Sequence, residues 1–331
     1  MIRVKLLLLV VGSLTLFGLI WHIGPARILE ALSSLGPWTV LAILLPSLLM
    51  YALEAYGWRL TLGMPGHGVS FPRLFAIRTA GEVVNMTTPA AYVGGEPLKA
   101  YLLGRHGVPM VPAMASVVTA KTTMTIAQVI FILLGIGIGT WVLGARSAPG
   151  EAGVPVLALA ISVGLLVFGT ALLILVQRRG LFTGILAVLH RFRIHIPFLD
   201  AREDKLRALD AAILNFYAKD RRSFLLSTQF CFLGWLAEAL EVYVMIASLG
   251  LAVTAPVAIA IAALSVFIKG STFFIPGSIG AQEGGNLLLL IAFGYSDVNG
   301  MAFALLRRLR ELVWIGIGLV CLAVLRTPSQ A

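Results

Sequence analysis

The sequence predicts an all-α polytopic integral membrane protein, with about six full spans and two re-entrant broken hairpins. Three observations predict it. Charged residues are 12% of 331, about half the ~25% of a soluble domain, and mean hydropathy is +0.96. Apolar runs near the ~20 residues that cross a bilayer recur along the chain. Two stretches interrupt those runs with glycine and proline around a carboxylate: Pro89-Ala-Ala-Tyr-Val-Gly94-Gly95-Glu96-Pro-Leu-Lys99 and Phe274-Ile-Pro276-Gly-Ser-Ile-Gly280-Ala-Gln-Glu283-Gly-Gly285. Broken backbone inside an apolar chain persists only where protein or a water-filled cavity satisfies its polar groups. No linker of disordered composition divides the chain, so residues 1–331 read as one membrane domain.

The elements follow in order. Met1-Ile-Arg3-Val-Lys5 and the run Leu6 to Trp21 lack a small-x-small cleavage site and are expected to be an uncleaved first span, 5–21. The second span is 38–57. Residues 58–80 are basic, with Arg59, Arg73 and Arg78, and read as cytoplasmic. A re-entrant hairpin over 81–107 returns to Arg105 and His106 on the same side. Residues 110–141 cross outward; their Gly135-x-Gly137-x-Gly139 is a small-residue face suited to close helix approach or simply tolerated in lipid. An outer loop, 142–153, leads to a span at 154–176.

Residues 177–222 hold ten Lys or Arg among five acids and read as a cytoplasmic loop with surface helices over 181–192 and 202–216. That loop serves either as a topology anchor or as a binder of anionic lipid. A span at 223–249, an outer-side hairpin over 256–295 and a last span at 301–325 place both termini in the cytoplasm. The formal charge of +10 lies in loops flanking spans, which is the positive-inside pattern and needs no nucleic-acid partner.

The two interrupted stretches echo each other. Pro89 precedes Glu96 by seven residues and Pro276 precedes Glu283 by seven; a charge, Glu82 or Lys269, stands seven before each proline. A first half over 1–141 and a second over 223–325, entered from opposite sides, form an inverted repeat.

Ionisable side chains fall where lipid would exclude them: Glu54, Glu82, Glu96, Glu238, Glu241, Glu283 and Glu311 against Arg59, Lys99, Lys121, Lys269, Arg307, Arg308 and Arg310. Each costs about 2.5–3.5 kcal/mol at mid-membrane, so they must pair internally or line a polar cavity. The candidate substrate-binding set is Glu96, Lys99, Gly94, Gly95, Glu283, Gly280, Lys121, Lys269 and Arg310. The glycines admit close backbone approach and expose helix N-termini. Glu238 and Glu241 share a helix face; they either couple ions or counter Lys269 and the arginines, and the second reading is preferred because buried charges usually have partners. Arg307 can pair with Glu311 along the helix. Arg307 and Arg308 are expected to snorkel to an interface, leaving Arg310 as the deeper ligand. Cys231 and Cys321 lack metal or disulfide spacing, and no metal, cofactor or nucleotide motif is apparent.

Trp58-Arg59, Gly94-Gly95-Glu96-Pro97-Leu98-Lys99, Pro276 to Gly285 and Arg307-Arg308-x-Arg310-Glu311 together resemble the flippase-like family named after the transmembrane region of lysylphosphatidylglycerol synthase. Gly234-Trp235-x-x-Glu238-Ala-Leu-Glu241-Val resembles the branch associated with hopanoid biosynthesis. The resemblance implies a protein of the bacterial inner membrane that moves a lipid or lipid-linked substrate between leaflets. Bifunctional members add an aminoacyl-transferase domain, which nothing in this sequence resembles. A head-group-modifying enzyme and a scaffold for lipid synthesis are the competing expectations. Expected partners are a membrane lipid, with a second copy of the chain or proteins of lipid synthesis left open.

Overall fold

The computed structural model describes residues 14, 17–18, 20–33, 36–63, 66, 68–87, 94–144, 156–192, 201–272 and 275–326. Among them every regular element is helical: α1 (Pro25–Ser33), α2 (Pro37–Leu62), α3 (Phe71–Thr87), α4 (Gly95–Gly104), α5 (Met110–Gly144), α6 (Val156–Arg178), α7 (Leu181–Arg191), α8 (Glu203–Lys219), α9 (Arg221–Ser248), α10 (Ala255–Ser271), α11 (Ala281–Ala292) and α12 (Asp297–Arg326). A short 3₁₀ turn, Pro276–Ser278, sits between α10 and α11. Among the described residues α2, α5 and α9 are long and apolar enough to cross a membrane, and α6 with α7 adds a fourth if that pair, bent by 88°, is one span. α12 has 30 residues, about 45 Å of helix, but carries the Arg307–Glu311 cluster near its middle. The expected first span and most of the outer loop fall outside the described residues.

Central to the bundle are α2 and α9, which run antiparallel. Gly57 of α2 lies against Ser227 and Cys231, while Gly234 of α9 lies against Met50 and Glu54. Proline in the first turn of α2 and Asp220 accepting from Ser223 N (3.1 Å) ahead of α9 fix the two starts. The buried face of α2 carries Ile43, Ser47, Met50, Tyr51, Glu54 and Trp58 at helical spacing, whereas Leu41, Leu45, Leu48 and Leu49 are exposed. Polar groups inside and leucines outside is the distribution a lipid solvent selects.

Each central helix opens a similar run. After α2 come α3 (17 residues), a break, α4 (10) and α5 (35); after α9 come α10 (17), a break, α11 (12) and α12 (30). The short arms extend about 15–18 Å, roughly half of a 30 Å hydrocarbon layer. The long helix of each run packs on the first arm of the other. A Cβ on Gly135 of α5 would fall 2.1 Å from Ala263 of α10, and one on Gly318 of α12 would fall 2.1 Å from Val83 of α3. Gly139 joins the α5–α10 contact near Ala260, whereas Gly137 faces open space.

The first hairpin starts ten residues earlier than the sequence suggests. Residues 58–80 are not a basic loop: Trp58 and Leu62 belong to α2, and Leu74, Ile77 and Arg78 are buried. Arg73 is exposed in the first turn of α3, and Arg78 is neutralised by Glu54, so neither arginine required a loop.

The basic stretch 177–222 forms α7 and α8, close to the expected bounds. Asp210 of α8 accepts from Phe182 N (3.1 Å), Thr183 N (2.8 Å) and Thr183 Oγ1 (2.7 Å), capping α7. Tyr217 Oη and Thr122 Oγ1 both donate to Gln177 Oε1, at 2.7 and 2.9 Å. These bonds tie the stretch to α5, and burial holds the Tyr217 phenol above its ordinary pKa.

Candidate functional site: a charged cavity between two broken hairpins

Seven carboxylates and seven cations meet where the hairpins adjoin α2, α5, α9 and α12. Arg78 pairs with Glu54, Arg307 with Glu238, and Arg310 with Glu241 (3.1 Å). Lys99 reaches Glu82 (3.4 Å) and Glu96 (3.0 Å), and Lys121 reaches Glu96 (3.4 Å). Lys269 Nζ donates to Glu311 Oε1 (2.6 Å). Arg308 bridges Glu283 (2.7 Å) and Glu311 (2.8 Å). Every carboxylate has a cation, as desolvated charge requires, and the cluster is formally neutral.

Local sequence explains how each hairpin delivers its charges. At the first, a Cβ on Gly95 would fall 1.9 Å from Gly81 O, and Lys99 lies across Gly81. Only glycine at both positions lets α3 and α4 touch. Gly95 N then donates to Asn85 Oδ1 (2.7 Å), and Asn85 Nδ2 donates to Glu96 Oε1 (3.4 Å). That contact gathers Glu82, Glu96 and Lys99. At the second break, Gly277 and Gly280 take φ +63° and +79°. Gly280 N donates to Glu283 Oε2 (2.7 Å), so Glu283 caps its own helix while Arg308 holds its other oxygen and the Gly277 carbonyl (3.2 Å).

A cavity of about 240 Å³ lies among these pairs. Its wall takes Tyr51 and Glu54 from α2, Arg78 and Glu82 from α3, Lys121 and Gln128 from α5, Trp235 and Glu238 from α9, Lys269 and Gly270 from α10, and Arg310 from α12. Val266 and methionines 50, 86 and 124 complete it, the methionines supplying an adaptable apolar surface. A recess of about 40 Å³ shares Glu54, Arg78, Glu82, Lys121 and Met124 with it and adds Glu96 and Lys99. Lys121 has the most accessible of the paired lysine side chains, 40% exposed.

Of the residues singled out from the sequence, Glu96, Lys99 and Lys121 line the recess, and Lys121, Lys269, Arg310 and Glu238 line the larger cavity. Gly94 and Gly95 lie at the start of α4. Glu283, Gly280 and Glu241 line neither space: the first two are engaged in capping α11, and Glu241 is fully buried against Arg310. Among the described residues Glu96 and Glu283 therefore line no common space; the acids around the larger cavity are Glu54, Glu82 and Glu238. Glu238 and Glu241 answer to Arg307 and Arg310 rather than to Lys269, whose partner is Glu311.

Three arginines stand differently from expectation. Arg59 is exposed, beside Asp220 and Ser223 in a surface hollow; the seventh cation of the cluster is Arg78. Arg307 is 2% exposed and Arg308 is held by two carboxylates, so neither snorkels. Facing carboxylates on other helices outweigh the pull of the interface, and Arg308, not Arg307, contacts Glu311. The wall positions Tyr51, Arg78, Gln128 and Trp235 were missed; the helical spacing of Tyr51 and Glu54 on one face of α2 was the available signal.

A multi-pass helical membrane protein with a charge-lined cavity walled in part by broken helices is the class that fold and site define. The chain belongs to the lysylphosphatidylglycerol synthase TM region family, whose model matches residues 4–318. It is similar to a UPF0104 membrane protein of Methanothermobacter thermautotrophicus, with 26% identity over 305 residues, 88% of this chain and 86% of the relative. It is also similar to a UPF0104 membrane protein of Methanocaldococcus jannaschii, with 27% identity over 143 residues, 41% of this chain and 42% of the relative.

Proposed function

We propose that the protein moves a lipid, or a lipid-linked group, between membrane leaflets by passing its head group through the charged cavity while the tails stay in lipid. The observation that carries this reading is the cavity wall itself, built from both hairpins and from α2, α5, α9 and α12, with charges already paired. A polar head group gains a polar path there, and rearranging half-helices around such a site is how repeat-built transporters alternate access. Glu96, Lys99, Lys121, Lys269 and Arg310 contact the head group, with Gly94, Gly95 and Gly280 shaping the breaks and Glu283 holding the second one shut. Glu238 and Glu241 act as counter-ions. The setting is a bacterial inner membrane with both termini in the cytoplasm, and candidate cargoes are an anionic lipid, an isoprenoid-linked head group and a hopanoid.

The test is transfer of labelled lipids between leaflets of proteoliposomes. Glu96→Gln and Lys121→Gln are expected to slow transfer of the true cargo about tenfold or more, the worth of one hydrogen bond to a charged group, while the protein stays monodisperse. Equal, background-level transfer of every candidate lipid by wild type and variants would remove the proposal.

A further inference from the structure

The two halves correspond residue by residue beyond the shared prolines. Glu96 and Glu283, Lys121 and Arg308, Lys99 and Asn286, Arg78 and Ser265, and Glu82 and Lys269 all stand 187 residues apart. On the central helices Tyr51 and Trp235 stand 184 apart, as do Glu54 and Glu238. The pairing reaches the contacts: Lys121 on α5 meets Glu96 on α4, and Arg308 on α12 meets Glu283 on α11. The antiparallel α2–α9 contact and the reciprocal α5–α10 and α12–α3 packing make this a pseudo-two-fold molecule.

The cavity sits on that axis, because both members of three pairs line it: Tyr51 with Trp235, Glu54 with Glu238, and Glu82 with Lys269. Among the described residues its extension lies in the first half. Toward the first half it continues into the recess at Glu96, Lys99 and Lys121. In the second half, Arg308 binds Glu283, Glu311 and the Gly277 carbonyl. On α10 and α11 are polar atoms with no hydrogen-bond partner among the described residues: both amide atoms of Asn286, Gln282 Oε1 and Ser265 Oγ, on residues at most 3% exposed. Buried polar atoms of this kind cost about 1–3 kcal/mol each when left unpaired. On a broken arm they suit a bound polar group.

We infer that Asn286, Gln282, Ser265 and Glu283 form a second, closed head-group arm, the counterpart of the recess, and that Arg308 is its latch. Asn286 asks for a partner that both donates and accepts, which assigns a hydroxyl-bearing head group. When Arg308 leaves Glu283 the closed arm opens and the first arm closes, so the halves exchange conformations. The inference deepens the transport reading and rests on it for the identity of the ligand.

Thiol accessibility tests it. With Cys231→Ser and Cys321→Ser together as background, Ala120→Cys reports the recess and Asn286→Cys the closed arm, each labelled by a membrane-impermeant methanethiosulfonate. With Arg308 intact, the cysteine at 120 is expected to react at least about tenfold faster than the one at 286, a gap of 1.4 kcal/mol. Arg308→Gln is expected to reverse that order. Glu283→Gln, which loosens the latch without emptying space, shifts it the same way and decides the matter if Arg308→Gln fails to fold. Dihexanoyl phosphatidylglycerol, which carries free hydroxyls, is expected to slow labelling of whichever arm is open. The inference is overturned if both cysteines react alike with the latch intact, if position 286 opens without position 120 closing, or if the lipid protects neither. Reciprocal labelling without leaflet transfer of any lipid would remove the transport reading and leave the two arms standing; transfer without reciprocal labelling would do the reverse.

Discussion

Arg307→Ala is expected to destabilise the fold by about 3–5 kcal/mol, the cost of stranding one buried charge. Arg307 is almost fully enclosed, lies 5.9 Å from the Phe303 ring centroid and neutralises Glu238 between α9 and α12. Its removal leaves a carboxylate with no cation in the wall of the cavity. Glu238→Gln combined with Arg307→Met keeps the volume and removes both charges, so the double variant is expected to recover most of the loss. Denaturant unfolding of the purified protein in one detergent checks both. A single-variant cost below about 1 kcal/mol, the value of an exposed pair, would contradict the buried network.

Gly270→Trp is expected to stop transport while leaving stability nearly unchanged. Gly270 lines the cavity, and the nearest atom to a Cβ built on it is the flexible Gln128 Nε2, 4.0 Å away. An indole placed there enters open space, avoiding the 1–3 kcal/mol typical of overpacking, and the helix gains propensity on losing glycine. A head group denied two charged hydrogen bonds loses about a hundredfold or more in rate. Transfer rate and unfolding midpoint measured on the same preparation separate blockage from misfolding. Wild-type transfer by the tryptophan variant would place the path elsewhere.

The membrane class, the two breaks and the surface helices of 177–222 were legible because they depend on local composition: apolar length, glycine with proline, and amphipathic spacing. The internal echo was legible at Glu96 and Glu283 for the same reason. Partner choice was not. Whether Lys269 meets Glu238 or Glu311, and whether Arg78 or Arg59 turns inward, depends on which helices adjoin, and that is settled by glycines such as Gly57, Gly135 and Gly318 pressing on distant side chains. Arg59 and Arg78 are equally basic in the sequence; the approach of Glu54 and of the Tyr51 ring distinguishes Arg78. Glu283 repeats Glu96, and an arginine in place of a lysine at the equivalent position holds it, a partner the sequence alone did not single out. A bidentate fork holds where a single ammonium leans.

Photolabelling addresses the path most directly. Two forms of one transported lipid, with a diazirine in the head group or at the end of an acyl chain, are irradiated with the protein in membranes and the adducts mapped by mass spectrometry. The head-group probe is expected to mark residues of the cavity wall, such as Met86, Met124 and Trp235, and the tail probe the outward leucines of α2. Head-group adducts confined to the connecting loops, with none between the hairpins, would contradict passage through the cavity.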